Sequence, residues 1–313
     1  MLSVLEVKRK LPKEFVESLY ENYTPLSVDK ILSGMSGNRS TTLRVNTLKY
    51  SIQDLMKELK SSNIKFERVP WFRDALIIKN KKEKDIQNLE IYNKGYIYLQ
   101  SLPSMIPPLV LEPKEGEKVL DMTAAPGSKT TEMAMLMNNK GKILANELDK
   151  LRCERLKYNV DMQGTEIVEV INQRGEKLGN LYPNNFDKVL LDAPCSGEGR
   201  FLANDVKTYR NWSKKSVIQL AKLQKKLFKS AYDALKPGGV MVYSTCTLNK
   251  EENEDVLEWA IDNLNLKIID IKIEIKEGIS AFTEGRDISI GKAIRILPSK
   301  DMEGFFVAKL KKY

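Results

Sequence analysis

From Lys118 onward the sequence alternates short apolar runs with helix-patterned stretches, which restricts this part of the chain to a parallel sheet covered by helices on both faces. Val119-Leu120-Asp121-Met122 predicts the first strand. A helix over 130–137, a strand over 142–146 and a helix over 150–162 follow, and strands are expected over 166–171 and 186–191. Ser213 is suited to N-cap a long helix that Pro237-Gly238-Gly239 stops, after which 240–245 predicts the fifth strand. An acidic helix over 250–264 and a late strand over 304–310 complete the alternation.

Residues 1–98 do not keep this rhythm. Leu43-Arg44-Val45-Asn46 and Ala75-Leu76-Ile77-Ile78 predict strands, with a helix over 51–59 opening on Ser51, so a small α+β module is expected there. The domain boundary is set near 96–102, where Leu102-Pro103 and Pro107-Pro108 are expected to interrupt any regular element, giving domains 1–98 and 99–313. The net charge of +9 is uneven. Residues 1–98 hold 18 Lys and Arg against 12 Asp and Glu, and residues 201–250 hold ten basic side chains against Asp205 and Asp233. Basic surface in two separate places suits a polyanion lying across both. The absence of an uncharged apolar run of about 18 residues, and Glu6 near the start, lead us to expect a cytoplasmic protein that neither crosses a membrane nor carries a signal peptide.

The chain contains no histidine, which excludes a histidine-activated nucleophile and any metal site built on imidazole. Three distant cysteines without a Cys-x-x-Cys pair argue for free thiols and no structural metal. Cys153 reads as a small buried hydrophobe. Cys195 follows the fourth strand in Asp192-Ala193-Pro194-Cys195, and Cys246 ends the fifth in Ser244-Thr245-Cys246. Those strands are neighbours in the usual order of such sheets, so both thiols should open onto one crevice. The first turn, Asp121-Met122-Thr123-Ala124-Ala125-Pro126-Gly127-Ser128-Lys129-Thr130, lies where such a sheet binds its ligand. It lacks the first glycine of both the dinucleotide fingerprint and the phosphate-binding loop. In Asn146-Glu147-Leu148-Asp149, Glu147 is a candidate ribose ligand while Asp149 caps the next helix.

The stretches Asp121–Thr130, Asp192–Gly199 and Tyr243–Glu254 resemble the NOL/NOP/Sun group of RNA cytosine-5 methyltransferases, within it the bacterial RsmF type. Leu43–Lys49, Tyr98–Ser101, Asn211–Ser213 and Gly304–Ala308 extend the resemblance over nearly the whole chain. It implies a Rossmann-like α/β domain with a mostly parallel seven-stranded sheet, S-adenosylmethionine as cofactor, an RNA-binding N-terminal domain, and no metal. It implies that Cys246 adds to cytosine and that Cys195 assists release. Asp192, Pro194 and Lys129 would hold the base, and Ala124, Ala125, Pro126, Gly127, Ser128, Lys129, Thr130, Glu147, Arg174 and Asp192 the cofactor. DNA enzymes carry their nucleophile in Pro-Cys-Gln, whereas here Pro194-Cys195 precedes Ser196 and Thr245-Cys246-Thr247 is the RNA-type signature.

The chain departs from the family in three places. Arg174-Gly175 stands where relatives carry an adenine-binding Asp, and an arginine cannot accept that hydrogen bond. Ser299 follows Pro298 where relatives often show histidine, and the C-terminal RNA-binding extension of longer members is not matched. The expected activity is cytosine-5 methylation of small-subunit rRNA by a monomer, with tRNA as the second substrate class. A non-catalytic RNA-binding assembly factor is the alternative outside enzymology. Lys222, Lys225, Lys226 and Lys229 are expected to share an RNA-facing helix surface opposite Val217, Leu220, Leu227 and Ala231.

Overall fold

A computed structural model describes residues 2–313. Its strands, in chain order, are β1 (Thr41–Val45), β2 (Phe66–Val69), β3 (Phe72–Ile78), β4 (Ile97–Leu99), β5 (Lys118–Asp121), β6 (Lys142–Asn146) and β7 (Val168–Ile171). They continue as β8 (Phe186–Asp192), β9 (Leu235–Thr245), β10 (Leu266–Ile269), β11 (Gly278–Ser280), β12 (Ile294–Ile296) and β13 (Phe305–Lys312).

The expected doubly wound sheet is present. Seven strands run in the order β7-β6-β5-β8-β9-β13-β10, and the short β12 and β11 extend it to nine beside the first half of β13. β5 to β9 are mutually parallel, and β13 runs against β9. Alternate residues face opposite sides. Leu120, Val189, Leu191, Met241 and Tyr243 enter the core under the helices Lys214–Ala234 and Glu254–Asn263, while Val119, Leu190 and Val242 enter the core under Leu102–Leu111 and Ser128–Leu136.

The structure corrects three local expectations. Leu102-Pro103 and Pro107-Pro108 do not interrupt regular structure but lie within the helix Leu102–Leu111. Pro103 occupies the first turn, where its missing N–H would be unpaired anyway. Pro107 and Pro108 are tolerated because the helix is apolar all round and eight of its ten residues are buried. The acidic helix starts at Glu254 rather than Lys250, because the side chains just before it are engaged with the loop after β9: Asn253 accepts from the Thr245 hydroxyl at 2.6 Å and donates to the Thr247 carbonyl at 3.2 Å. β9 pairs from Leu235, with the register shifting between Phe186 and Lys188 so that the Pro-Gly-Gly segment is looped out.

The N-terminal part contains more helix than its pattern indicated. Val4–Lys10, Lys13–Asn22 and Pro25–Gly34 precede the small antiparallel sheet β2-β3-β1-β4, and the expected helix is Ile52–Ser61 with Ser51 as N-cap. Those three helices share a hydrophobic cluster with Phe201, Ala203, Tyr209, Leu248 and Leu297, whereas the small sheet packs on the helix Ile52–Ser61. The sheet is tied to the ligand-binding side by Arg44. Fully buried on β1, its guanidinium donates to Gln100 at 2.8 Å, Thr131 at 2.7 Å and the Ser128 carbonyl at 3.2 Å.

A second buried guanidinium fixes the far edge. Arg295 on β12 meets Glu254 at 2.5 Å with both side chains fully buried, donates to the Leu248 carbonyl, and lies against the rings of Tyr23, Phe282 and Phe306. Removing one member of such a pair leaves an uncompensated buried charge, costing about 3–5 kcal/mol. Arg295→Ala should therefore lower the unfolding free energy by that amount, seen by circular dichroism as a lower urea midpoint at an unchanged m-value.

Candidate active site

The carboxyl ends of β5, β6, β8 and β9 surround one cavity of about 800 Å³. Its first wall is the turn after β5. Gly127, in the left-handed region at φ 108°, turns this loop into the helix Ser128–Leu136, and a Cβ there would come within 3.0 Å of Leu156. Thr123, Ala124, Ala125, Pro126, Ser128 and Lys129 line the cavity. Gly127 and Thr130 do not reach its wall: Gly127 lies packed against Leu156, and the Thr130 hydroxyl turns inward to donate to Asp121 at 2.7 Å.

The second wall carries Glu147, which is buried. One carboxylate oxygen accepts the Asp149 N–H at 2.9 Å, while the other sits 3.3 Å from Arg152, out of line for a hydrogen bond and without another partner. Asp149 caps the helix Lys150–Gln163, as its position predicted. Arg174 also lines the cavity, but its guanidinium is paired with Glu176 at 3.0 Å, and Glu176 lines the cavity as well.

Opposite stand the thiols. β8 and β9 are adjacent and parallel, with Asp192 in register with Ser244, so the segments leaving them bring Cys195 Sγ within 3.2 Å of Cys246 Sγ. Both cysteines are free, and a disulfide would need about 2.05 Å. The Cys246 N–H donates to Cys195 Sγ at 3.2 Å, and the two thiols lie within hydrogen-bond distance of each other, with either sulfur able to donate. The hydrogen bond between the thiols, together with the Arg200 guanidinium nearby, lowers the Cys246 thiol below its usual range. The same bond and burial push Cys195 well above it. Cys153 is buried on the helix behind the sheet, as expected.

Asp192 and Lys129 join the two sides. The Lys129 ammonium contacts Asp192 at 2.6 Å and donates to Ser104 at 2.9 Å, and the other Asp192 oxygen accepts from the Ser244 hydroxyl at 2.7 Å. Burial alone would lower the Lys129 amine, but the Asp192 carboxylate outweighs it and raises it. Pro194 lines the cavity beside the thiols.

Several lining residues were not among the candidate site residues read from the sequence. Ser104 comes from the helix after β4 and Ser101 from its N-cap, Arg200 from the turn after Cys195, Phe305 from the start of β13 and Glu303 from just before it. Leu223 and Leu227 of the helix Lys214–Ala234 line the cavity too. On that helix Lys222, Lys226 and Lys229 are exposed, Lys225 is half-buried, and Lys229 is paired with Asp233 at 2.6 Å. Half-buried Leu220 is not part of the closed core that holds Val217, Leu227 and Ala231.

A family model described as 16S rRNA methyltransferase RsmB/F matches residues 108–311, and one described as the N-terminal domain of 16S rRNA methyltransferase RsmF matches residues 11–102. The tRNA (cytosine(49)-C(5))-methyltransferase of Pyrococcus abyssi is 41% identical over 87% of this chain and 88% of its own length. Ribosomal RNA small subunit methyltransferase F of Vibrio atlanticus is 37% identical over 96% of this chain, which spans 64% of that protein. Among solved structures, a methyltransferase homologue from Pyrococcus horikoshii superimposes with a TM-score of 0.86 at 34% identity, covering 99% of both chains. NSun6 from the same organism, solved with SFG, gives 0.84 at 27% identity, covering 97% and 99%.

Burial pushes the Asp121 carboxyl up to about 7, against about 3.9 in an unfolded chain. The folded protein thus keeps a proton that the unfolded chain releases, so this contribution to stability is complete below about pH 4 and is lost as pH rises through 7. Urea melts between pH 5 and 8 should show stability falling with pH, and Asp121→Asn should flatten that slope.

Proposed function

The chain belongs to the RsmB/F family of 16S rRNA methyltransferases, and on that premise we propose that it moves a methyl group from S-adenosylmethionine to carbon 5 of cytosine in RNA. The observation that carries this reading is the pair of free thiols 3.2 Å apart, facing the same cavity as the Lys129–Asp192 ion pair. The cavity fits the cofactor. Glu147 offers a buried carboxylate oxygen without a hydrogen-bond partner, suited to a ribose hydroxyl, and the small side chains of Ala124 and Ala125 leave room for close approach. SFG, held by the Pyrococcus NSun6, is an analogue of the same cofactor. The cofactor supplies an electrophilic methyl group. Arg174 has no carboxylate to offer an adenine amine, but Glu176 in the same wall has one.

Carbon 5 of cytosine is a poor nucleophile. The Cys246 sulfur, favoured as thiolate by Cys195 and Arg200, adds to carbon 6 and drives electrons to carbon 5, which takes the methyl group. Asp192 is held by Lys129 and Ser244 and is suited to hold the amino and ring-nitrogen edge of the base, while the Lys129 ammonium offsets charge developing on the ring. A base must then take the carbon 5 proton, so that the electrons of that bond restore the carbon 5–carbon 6 double bond and expel the Cys246 thiolate. Cys195, in contact with that sulfur, is the group suited to assist this release. The base has to leave its stack to reach the cavity.

Small-subunit rRNA is the first substrate class we propose, on the family match. A tRNA is the second, favoured because the Pyrococcus abyssi enzyme is matched over 88% of its length against 64% for the Vibrio enzyme. On this reading the protein acts as a monomer in the cytoplasm. Among the described residues no helix is long and apolar enough to cross a membrane, and no cluster of ligating side chains forms a metal site.

Labelled S-adenosylmethionine with small-subunit particles or with tRNA tests the reading directly. Wild-type protein should label cytosine carbon 5 in one of them, and bisulfite sequencing of RNA from a deletion strain should lose the same position. Cys246→Ala should reduce transfer below detection. Cys195→Ala should instead accumulate a protein–RNA adduct that survives denaturing electrophoresis. Adduct formation by Cys246→Ala would mean that the two roles are exchanged, and absence of label in all RNA would remove the enzymatic reading.

A further inference from the structure

A buried carboxylate behind the thiols is not used by the chemistry above. Glu252 lies in the turn between β9 and the helix Glu254–Asn263 and is fully buried. One of its oxygens accepts the Ser196 N–H at 2.9 Å and the Gln224 amide at 2.9 Å, and the other accepts the Ser196 hydroxyl at 2.5 Å. The same Gln224 amide donates to the Pro194 carbonyl at 2.9 Å, and the Ser196 and Thr247 hydroxyls meet at 2.7 Å. Ser196, after Cys195, is therefore bonded to Glu252 directly, and Pro194, before it, through the Gln224 amide, while Glu252 itself hangs from the segment following Cys246. The Glu252 backbone is held in turn by the Tyr243 hydroxyl, which donates to its carbonyl at 2.5 Å.

A purely structural device would not require a charge here. Burying a carboxylate is costly unless it is fully bonded, and these donors all serve the turn that carries Cys195. We propose that Glu252 is a positioning residue for the thiol pair: by gripping Ser196 and Gln224 it fixes the turn so that the Cys195 thiol stays seated on the Cys246 sulfur. The negative charge also disfavours ionisation of Cys195, so the proton stays on the member of the pair that donates. Asp192 acts on Cys195 in the same sense, and Arg200 favours the thiolate on Cys246.

The inference rests on the thiol pair being the reactive centre, yet its first test needs neither RNA nor cofactor. The rate of Cys246 alkylation by iodoacetamide, followed by peptide mass spectrometry across pH 5–10, reports how well Cys195 is seated. Wild-type protein should react at Cys246 with an apparent pKa below the usual thiol value of about 8.5. Glu252→Ala should move that profile up by about one unit and let Cys195 react as well, while Glu252→Gln, which keeps an acceptor for the Ser196 N–H, should restore part of the difference. Ser196→Ala removes only the hydroxyl arm and should shift the profile the same way by less, so a Glu252→Ala protein that fails to fold does not end the test. In methyl transfer, Glu252→Ala should lose about 100-fold in kcat with KM for S-adenosylmethionine within about twofold. An unchanged alkylation profile in the Glu252 and Ser196 variants would overturn the inference. Shifted profiles with no methyl transfer even by wild type would leave the positioning role standing and count against the proposed reaction instead.

Discussion

The parallel ladder between β8 and β9 sets the position of everything that reacts, because each of these strands delivers one thiol and the ladder decides where the two meet. Lys188 to Asp192 pair in unbroken register with Val240 to Ser244. A slip of one residue would turn Leu190 and Leu191, which face opposite cores, to the wrong sides, so the register is held by burial of both sheet faces rather than by the site itself. The site inherits that precision. The turn after Asp192 and the end of β9 can then be short and still bring two sulfur atoms into contact.

The protein buries many ionisable groups, some at this contact and some away from it. Asp121, Lys129, Glu132, Glu198, Glu252, Glu254, Arg44 and Arg295 are all buried. Some are kept charged by a direct partner, as Lys129 is by Asp192 and Arg295 by Glu254. Others are pushed towards the neutral form by burial, with Asp121 and Glu198 raised to about 7 and Glu132 to about 8. Perturbed carboxylates of this kind cluster where a protein has traded stability for a preorganised pocket. Asp121 lines the cavity, while Glu198 lies in the turn after Cys195 and Glu252 in the segment after Cys246.

The catalytic sheet was legible because its strands are short apolar runs and its helices carry recognisable caps. Ser213, Asp149 and Ser51 each cap the helix they were expected to open. Local pattern failed where burial overrides it. The helix Leu102–Leu111 contains three prolines and survives because it is almost wholly enclosed, which no local rule of chain breaking registers. The strands β10, β11 and β12 escaped notice because each is three or four residues long and exists only as an addition to the β13 edge, β10 and β12 paired with β13 and β11 with β12. The lysine face was half right: a periodic pattern places Lys222 and Lys226 outward, but whether Lys225 is covered and Lys229 paired depends on what lies beside the helix.

The sequence by itself determined the chemistry available: no imidazole, two thiols at strand ends, a small-residue turn and an acid at the next strand end. Those are properties of residue type and of distance from a strand boundary, and both are local. Only the tertiary structure decided which groups meet. Ser104 reaches Lys129 across 25 residues, Glu303 and Phe305 come to the cavity from the approach to the last strand and its first residue, and Arg174 is paired with Glu176. Glu252 is the sharpest case, an acid in a charged run that becomes a buried clamp on a turn 56 residues away. Such contacts are fixed by how the sheet stacks its crossovers, and long-range packing leaves no periodic trace in the chain.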